Sequence, residues 1–153
     1  MKGSRKKPTW HVIKTYGHNL GLSCAFRQWR AKSHCRFIHG YALQVELVFA
    51  TSKLDDRNWV IDFGGLSFIK KYLEGQFDHK TLVAKDDPAL GFFKDMHNEG
   101  LIDMVLVDHV GCEKFAEEIF TQAKGLMPQA KGVKLVSVSV REHGSNAAVY
   151  GEG

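Results

Sequence analysis

The chain has 153 residues, of which 44% are hydrophobic and 25% charged, as is ordinary for one compact globular domain. No apolar run reaches the roughly 18 residues that a membrane-spanning helix needs, and no apolar signal segment follows the basic start at residues 1–7. Three cysteines are too few, and odd in number, for a disulfide scaffold, so reduced thiols and a cytoplasmic location are expected.

The net charge of +4 arises largely near the start of the chain. We interpret residues 1–9 as a basic disordered tail that precedes a single domain over residues 10–153. Contact of this tail with nucleic acid or an anionic substrate is the alternative interpretation. No membrane partner is expected, and nucleic acid is not the expected partner of the domain.

The first part of the domain has the periodicity of strands. Residues 10–28 are predicted to be extended, with a turn at 17–19 and one side formed by Leu20, Leu22, Cys24 and Phe26. A polar loop over 29–35 leads to a second strand, whose inward side is formed by Tyr41, Leu43, Val45, Leu47 and Phe49. His39 shares that parity. Residues 59–63 are predicted to form a short strand, in which Asp62 is a candidate cap for the next helix.

The second part alternates helices with strands. A helix is predicted from Leu66 to Gly75, and another over 86–98, with Phe92, Phe93 and Met96 as its apolar face. A strand over 104–107, a helix over 112–126 and a hairpin over 133–150 follow. This order predicts an α+β domain with helices on one face of an antiparallel sheet. The open sheet edges favour pairing with other copies of the chain.

Four short clusters contain residue types that often carry chemistry. Each is ambiguous by itself, because a thiol near an imidazole or a carboxylate at a strand end is often structural. The clusters are Cys35-Arg36-Phe37-Ile38-His39-Gly40-Tyr41, Trp59-Val60-Ile61-Asp62-Phe63, Phe77-Asp78-His79 and Glu142 at the end of an apolar stripe.

Taken in order, these clusters resemble the 6-pyruvoyl/6-carboxy-tetrahydropterin synthase family from about Trp10 to Tyr150. The family has a strand ending in histidine, a cysteine four residues before His-Gly-His, a Trp and Asp-Phe before a helix, Leu-Asp-His, Pro-Thr-x-Glu and a late glutamate. The corresponding segments here are Leu22–Arg27, Cys35 with His39-Gly40-Tyr41, Trp59 with Asp62-Phe63, Phe77-Asp78-His79, Val110-Gly111-Cys112-Glu113 and Glu142.

The resemblance implies a tunnelling fold (T-fold): a four-stranded antiparallel sheet with helices on one face, assembled as a trimeric barrel and then a hexamer. It implies active sites between subunits. Cys35, Asp78 and His79 are the implied catalytic residues, with the Asp-His pair supplied by a neighbouring subunit. Glu142 and Glu113 are the implied substrate-binding residues, and Glu142 would anchor the amino-pyrimidine end of a pterin.

The family's zinc site is only partly retained. The family uses three histidines, and their positions are occupied here by Phe26, His39 and Tyr41. Since one imidazole cannot hold catalytic zinc, we expect no metal cofactor. Zinc would require a site rebuilt around His39, with Cys24, His34 or Tyr41 as replacement ligands. Packing of Phe26 against Tyr41 in the vacated space is the simpler expectation.

The expected function is therefore a lyase like 6-carboxytetrahydropterin synthase, the step that feeds queuosine biosynthesis, working on dihydroneopterin triphosphate or a related pterin without zinc. A metal-independent dihydroneopterin aldolase or epimerase reaction is one alternative. A non-catalytic homologue that binds a pterin or nucleobase is another. A structural subunit that assembles through its sheet edges is the third.

Overall fold

The computed structural model describes residues 7, 9–127 and 132–152 of the chain. The strands in these residues are β1 (Trp10–Tyr16), β2 (Leu22–Phe26), β3 (His39–Thr51), β4 (Lys80–Ala84), β5 (Met104–Val107), β6 (Lys134–His143) and β7 (Asn146–Gly151). The α-helices are α1 (Ser67–Phe77), α2 (Leu90–Asn98) and α3 (Cys112–Leu126). Most of the predicted basic tail, residues 1–6 and 8, lies outside the described residues. None of the described helices has the length and apolar character needed to cross a membrane.

The long strand β3 is the centre of the sheet. Its alternating sequence gives it one fully buried side, formed by Leu43, Val45, Leu47 and Phe49. Its first residues, 39–43, pair antiparallel with β2. Residues 44–51 pair antiparallel with β1 on one side and with β6 on the other, and β7 pairs with β6. The predicted four-stranded antiparallel sheet is therefore β1-β3-β6-β7.

The complete sheet is mixed, which corrects the purely antiparallel prediction. β4, which was not predicted, pairs in parallel with β2 and with β5, and α2 forms the crossover between β4 and β5. The strand order is β5-β4-β2-β3-β6-β7, with β1 against β3. Residues 81–84 are all buried, so β4 lacks the polar alternation that reveals a half-exposed strand.

Helices α1 and α3 cover the buried side of the sheet in one hydrophobic core. Their fully buried residues are Ile69, Leu73, Phe77, Phe115, Ala116, Ile119 and Ala123. The bounds of α3 are those that the apolar periodicity predicts. The predicted end of α1 at Gly75 is wrong, because burial of Phe77 offsets the roughly 1 kcal/mol that a glycine costs within a helix.

Residues 59–63 do not form the predicted strand. The Asp55 carboxylate accepts the backbone N–H groups of Arg57 at 2.8 Å and of Trp59 at 2.9 Å. These bonds give the backbone an alternative to a strand ladder. Trp59 is also 43% exposed, so no burial favours an extended pairing here.

Two aspartate side chains accept backbone N–H groups at helix entrances. Asp62 accepts the Gly64 N–H at 2.9 Å where a 3-10 turn leads into α1, which confirms its predicted capping role. Asp87 accepts the Ala89 N–H at 2.8 Å just before α2. The predicted inward direction of Phe92 is wrong. Phe93 is the residue of α2 that is buried, and Phe92, about 100° away around the helix, is 75% exposed.

Candidate active site

Glu142 lies near the end of β6 and is half-buried. Its negative charge affects the pKa of two buried thiols, those of Cys24 on β2 and Cys112 at the start of α3. Burial first, and then the charge of Glu142, raises the pKa of each thiol to about 12. The ends of β2, β6 and α3 therefore converge around this carboxylate.

Tyr41 is influenced by both Glu142 and the cysteine predicted to be catalytic. Burial, followed by the charges of Glu142 and Cys35, raises the pKa of the Tyr41 hydroxyl. Cys35 lies in a 3-10 turn, His34–Arg36, and the Ser33 Oγ accepts the Cys35 N–H at 3.4 Å. One chain thus gathers a partly buried thiol, a phenol and a carboxylate.

The start of α3 forms another side of this cluster. Gln28 Nε2 donates a hydrogen bond to the Val110 carbonyl oxygen at 3.1 Å, so the Gln28 side chain lies against Gly111. A Cβ at Gly111 would lie 2.3 Å from Gln28 Nε2, and the backbone there has φ +113°. Glycine is therefore required where the family pattern has threonine. Glu113, in the first turn of α3, is exposed, and its charge adds to the raised pKa of Cys112.

The Asp78–His79 pair follows α1. The Asp78 Oδ1 and the His79 Nδ1 lie 2.6 Å apart, and the His79 side chain is 86% exposed. His79 adopts φ 56°, a left-handed conformation that is costly for a residue other than glycine and is frequent at functional sites. Among the described residues, no hydrogen bond or ion pair joins this pair to Cys35 or Glu142. Within one chain, Asp78 and His79 are therefore in direct polar contact with each other but not with the other predicted catalytic residue.

Three aromatic rings occupy the positions of the family's zinc ligands. The ring centroids of Phe26 and His39 lie 5.3 Å apart, those of His39 and Tyr41 5.3 Å, and those of Phe26 and Tyr41 6.0 Å. Phe26 is 2% exposed and also packs edge-on against Phe115. A Cβ at Gly40, between His39 and Tyr41, would lie 2.8 Å from a backbone oxygen of β2. The three side chains thus share one small volume.

This set of residues does not fit zinc. Phe26 supplies no ligand atom. The Nδ1 of His39 lies 2.7 Å from the Phe37 carbonyl oxygen. If Nδ1 donates a hydrogen bond there, Nε2 is the one imidazole nitrogen left to bind a metal. Within residues 7, 9–127 and 132–152, no group of three or more His, Cys, Asp or Glu residues is arranged to hold a metal ion. The suggested replacement ligands Cys24 and His34 form no such group with His39.

We expect selective alkylation of Cys35 in the native protein. Cys24 and Cys112 are buried, and with a pKa of about 12 their thiols ionise to only about 1 part in 10⁴ at about pH 8. Iodoacetamide at about pH 8 should therefore add a single group, measured by intact mass, and the Cys35→Ser variant should gain none. Rapid modification of a second cysteine in the folded protein would contradict the burial of the other two.

The model of the family described as 6-pyruvoyl tetrahydropterin synthase matches residues 18–153. The chain belongs to the 6-pyruvoyl tetrahydropterin synthase family. The match confirms the predicted family, and the matched residues include all the motif positions described above.

Named relatives and solved structures agree with this family. A 6-carboxy-5,6,7,8-tetrahydropterin synthase from Rickettsia typhi is 36% identical over 61 residues, 39% of this chain and 44% of the relative. The chain thus matches less than half the length of that relative. An Aquifex aeolicus protein of the same name is 22% identical over 146 residues, 83% of this chain and 90% of the relative.

Two solved structures share the fold. An uncharacterized protein from Wolinella succinogenes has a TM-score of 0.81 at 20% identity, with 95% of this chain and 99% of that chain covered. A Plasmodium falciparum 6-pyruvoyl tetrahydropterin synthase has a TM-score of 0.69 at 16% identity, with 94% and 98% covered. These likenesses confirm the α+β tunnelling fold of the chain.

Two residues of the site were not predicted from the sequence. Cys112 was assigned only as the start of a helix, and Gln28 only as the end of an extended segment. Gln28 belongs to no motif, and Cys112 occupies the unspecified position of the Pro-Thr-x-Glu motif. The one available signal was Gly111 directly before a helix, because glycine at such a position often marks a close backbone approach.

Proposed function

We propose that this chain is a 6-carboxytetrahydropterin synthase-like enzyme that acts on dihydroneopterin triphosphate or a related pterin without zinc. The observation that carries the proposal is the arrangement around Tyr41, whose pKa is raised by burial and then by the charges of Glu142 and Cys35. A carboxylate and a thiol therefore act on the same small volume. Both occupy motif positions of the family, and the product would feed queuosine and other 7-deazaguanines.

Glu142 would hold the substrate. A half-buried carboxylate accepts two parallel hydrogen bonds from the ring N–H and amino group of a pterin, and such charge-assisted bonds are strong. The start of α3 beside it contributes free backbone N–H groups at Cys112 and Glu113, which suit acceptor atoms of the same ring. This geometry suits a planar, polar heterocycle better than a sugar or a peptide.

Proton transfer would fall to Cys35 and the Asp78–His79 pair. Asp78 holds the His79 Nδ1, which fixes the imidazole and leaves Nε2 to exchange protons. Because His79 is exposed and shares no hydrogen bond or ion pair with Cys35 among the described residues, we propose that a neighbouring copy supplies the pair. Cys35 would then take a proton from the substrate side chain, and His79 would return one.

The developing oxyanion needs a donor in place of a metal. Arg27 gives its Nε and Nη2 to Asp87, and Arg36 points its Nη1 at backbone oxygens of its own turn. The Tyr41 hydroxyl shares a hydrogen bond with the Glu142 carboxylate, and the charges of Glu142 and Cys35 both raise its pKa. A pterin bound at Glu142 would take over that carboxylate and free the Tyr41 O–H to donate elsewhere. We therefore assign the donor role to Tyr41, which acts as a protonated phenol because its pKa is raised.

The proposed assembly is a trimer or hexamer of identical chains. Within the described residues, β1 and β7 are the two outer strands of the antiparallel sheet and pair on one side only. The side of β3 that faces away from the helices is half-buried rather than fully exposed, as at Gln44, Glu46 and Val48. Edge pairing between copies would close the sheet into a barrel and bring His79 towards another chain.

A metal-independent aldolase or epimerase reaction on dihydroneopterin remains the second candidate. It is favoured by one observation, the lack of fit between zinc and the Phe26, His39 and Tyr41 set. The same observation is compatible with a pterin- or nucleobase-binding protein without turnover.

Incubation with dihydroneopterin triphosphate should yield 6-carboxytetrahydropterin in zinc-free buffer. We expect Cys35→Ala to lower the rate by at least about 1,000-fold, because it removes the proton-transfer group. Chromatography of the reaction mixture measures the product, and Glu117→Gln, an exposed change on α3, is the control. Glycolaldehyde or an epimer as product would favour the second candidate. Tight pterin binding with no product from any pterin would favour the binder.

A further inference from the structure

The loop that carries Cys35 is tied to the β4–α2 connection by a nearly buried ion pair. Arg27 Nε donates to Asp87 Oδ2 at 2.8 Å, and Arg27 Nη2 donates to Asp87 Oδ1 at 2.6 Å. The Asp87 side chain is 2% exposed and that of Arg27 22%. This two-point geometry fixes the plane of the guanidinium as well as its position.

Asp87 is itself held rigidly. Its Oδ1 also accepts the Ala89 N–H at 2.8 Å, and its backbone N–H donates to the Ala84 carbonyl at the end of β4 at 3.0 Å. The bonds from Arg27 hold the pKa of the Asp87 carboxyl below its usual range, so it is charged at neutral pH. The sheet therefore fixes Asp87, and Asp87 fixes Arg27.

The other end of this chain of contacts is the Cys35 backbone. Arg27 Nη1, the nitrogen not used by Asp87, donates to the Arg36 carbonyl at 3.4 Å. The next residue, Gln28, donates its backbone N–H to the Cys35 carbonyl at 2.9 Å. The backbone carbonyl groups of Cys35 and Arg36 thus both accept hydrogen bonds from residues 27 and 28.

We propose that Asp87 is a positioning residue for Cys35 and acts through Arg27. The inference rests on the proposed catalytic role of Cys35. Asp86 supports the same loop, because its carboxylate accepts from Trp29 Nε1 at 3.2 Å and from Arg30 Nη2 at 3.1 Å. The parallel strands β4 and β5 thereby gain a function in the site, since the connection between them sets where the thiol stands.

The competing explanation is that the pair only stabilises the fold. Asp87→Asn removes the charge and turns an N–H donor towards Arg27. Arg27→Lys keeps one ion contact with Asp87 but lacks the planar fork that reaches both Asp87 and the Arg36 carbonyl. Asp108→Asn is the control, because Asp108 pairs with Lys85 at 2.7 Å and, among the described residues, shares no hydrogen bond or ion pair with residues 27–36.

The test is the rate of iodoacetamide alkylation of each cysteine in the full chain, followed by peptide mass. In Asp87→Asn and Arg27→Lys we expect Cys35 to react at least about fivefold faster because its turn opens locally, while Cys24 and Cys112 stay protected. The same variants should lose about tenfold or more in kcat with KM changed less than about threefold, because the thiol is displaced and Glu142 is not. Asp108→Asn should match the wild type.

Cys35 alkylation within about twofold of wild type in both variants, with the other thiols protected, would overturn the proposal and leave a purely stabilising pair. Should Asp87→Asn not fold, Arg27→Lys decides alone. If Cys35 reacts faster in the two variants but the wild type turns over no pterin, the proposed function is refuted and the positioning contact stands.

Discussion

Replacing Glu142 by glutamine should weaken the binding of 7,8-dihydroneopterin by about 100-fold or more, because two charge-assisted hydrogen bonds are lost and an amide donor faces the donors of the ring. The effect is large because the carboxylate is half-buried, so water replaces the lost bonds poorly. Isothermal titration calorimetry measures the change in Kd.

The same substitution should leave thermal stability unchanged or slightly increased. The Glu142 carboxylate accepts hydrogen bonds from the Tyr41 and Cys112 side chains, and the amide oxygen of glutamine can accept in its place. No ion pair among the described residues is lost, and a half-buried charge is removed. Glu117→Gln on α3 is the matched control for removal of a carboxylate and should bind the pterin as the wild type does. Wild-type affinity in Glu142→Gln would show that the anchor lies elsewhere.

The sequence predicts those parts of the fold in which one side of an element is buried and the other is wet. β3 and α3 are examples, since Val45 and Leu47 alternate with half-exposed residues and Phe115 and Ile119 recur at helical spacing. β4 fails this condition because Leu82 and its neighbours are buried on both sides, and a continuous apolar run of that length has no diagnostic period.

The candidate site divides in the same way. Cys35, His79 and Glu142 were predicted from the order of short motifs, which a linear sequence preserves. The contact between Arg27 and Asp87 was not predicted, because the two residues are 60 positions apart and Asp87 belongs to no motif. Their proximity depends on the parallel pairing of β2 with β4, so a prediction without β4 could not include it.

Changing Phe26 and Tyr41 together to histidine should create a protein that retains one zinc ion per chain. The ring centroids of Phe26, His39 and Tyr41 lie 5.3–6.0 Å apart. Imidazoles around one tetrahedral zinc, with Zn–N bonds of about 2.1 Å, have centroids about 5 Å apart, so little movement is needed. His39 already directs Nδ1 to a carbonyl, the orientation that metal-bound histidines adopt. Elemental analysis after gel filtration measures the zinc content.

The cost and the controls follow from burial. Phe26 packs against Phe115 in the core, so the zinc-free double variant should lose about 2 kcal/mol or more of stability through a buried, unpaired imidazole. Zinc at about 100 times its Kd should restore about 2.7 kcal/mol, seen as a rise in Tm that the wild type does not show.

Each single variant has two imidazoles and should retain far less metal. Stoichiometric zinc in the wild type would contradict the zinc-free mechanism, whereas a double variant without zinc would contradict the convergence of these side chains. A gain of metal in the double variant alone would mean that the fold still supports the family's site and that the two aromatic side chains are what exclude zinc from it.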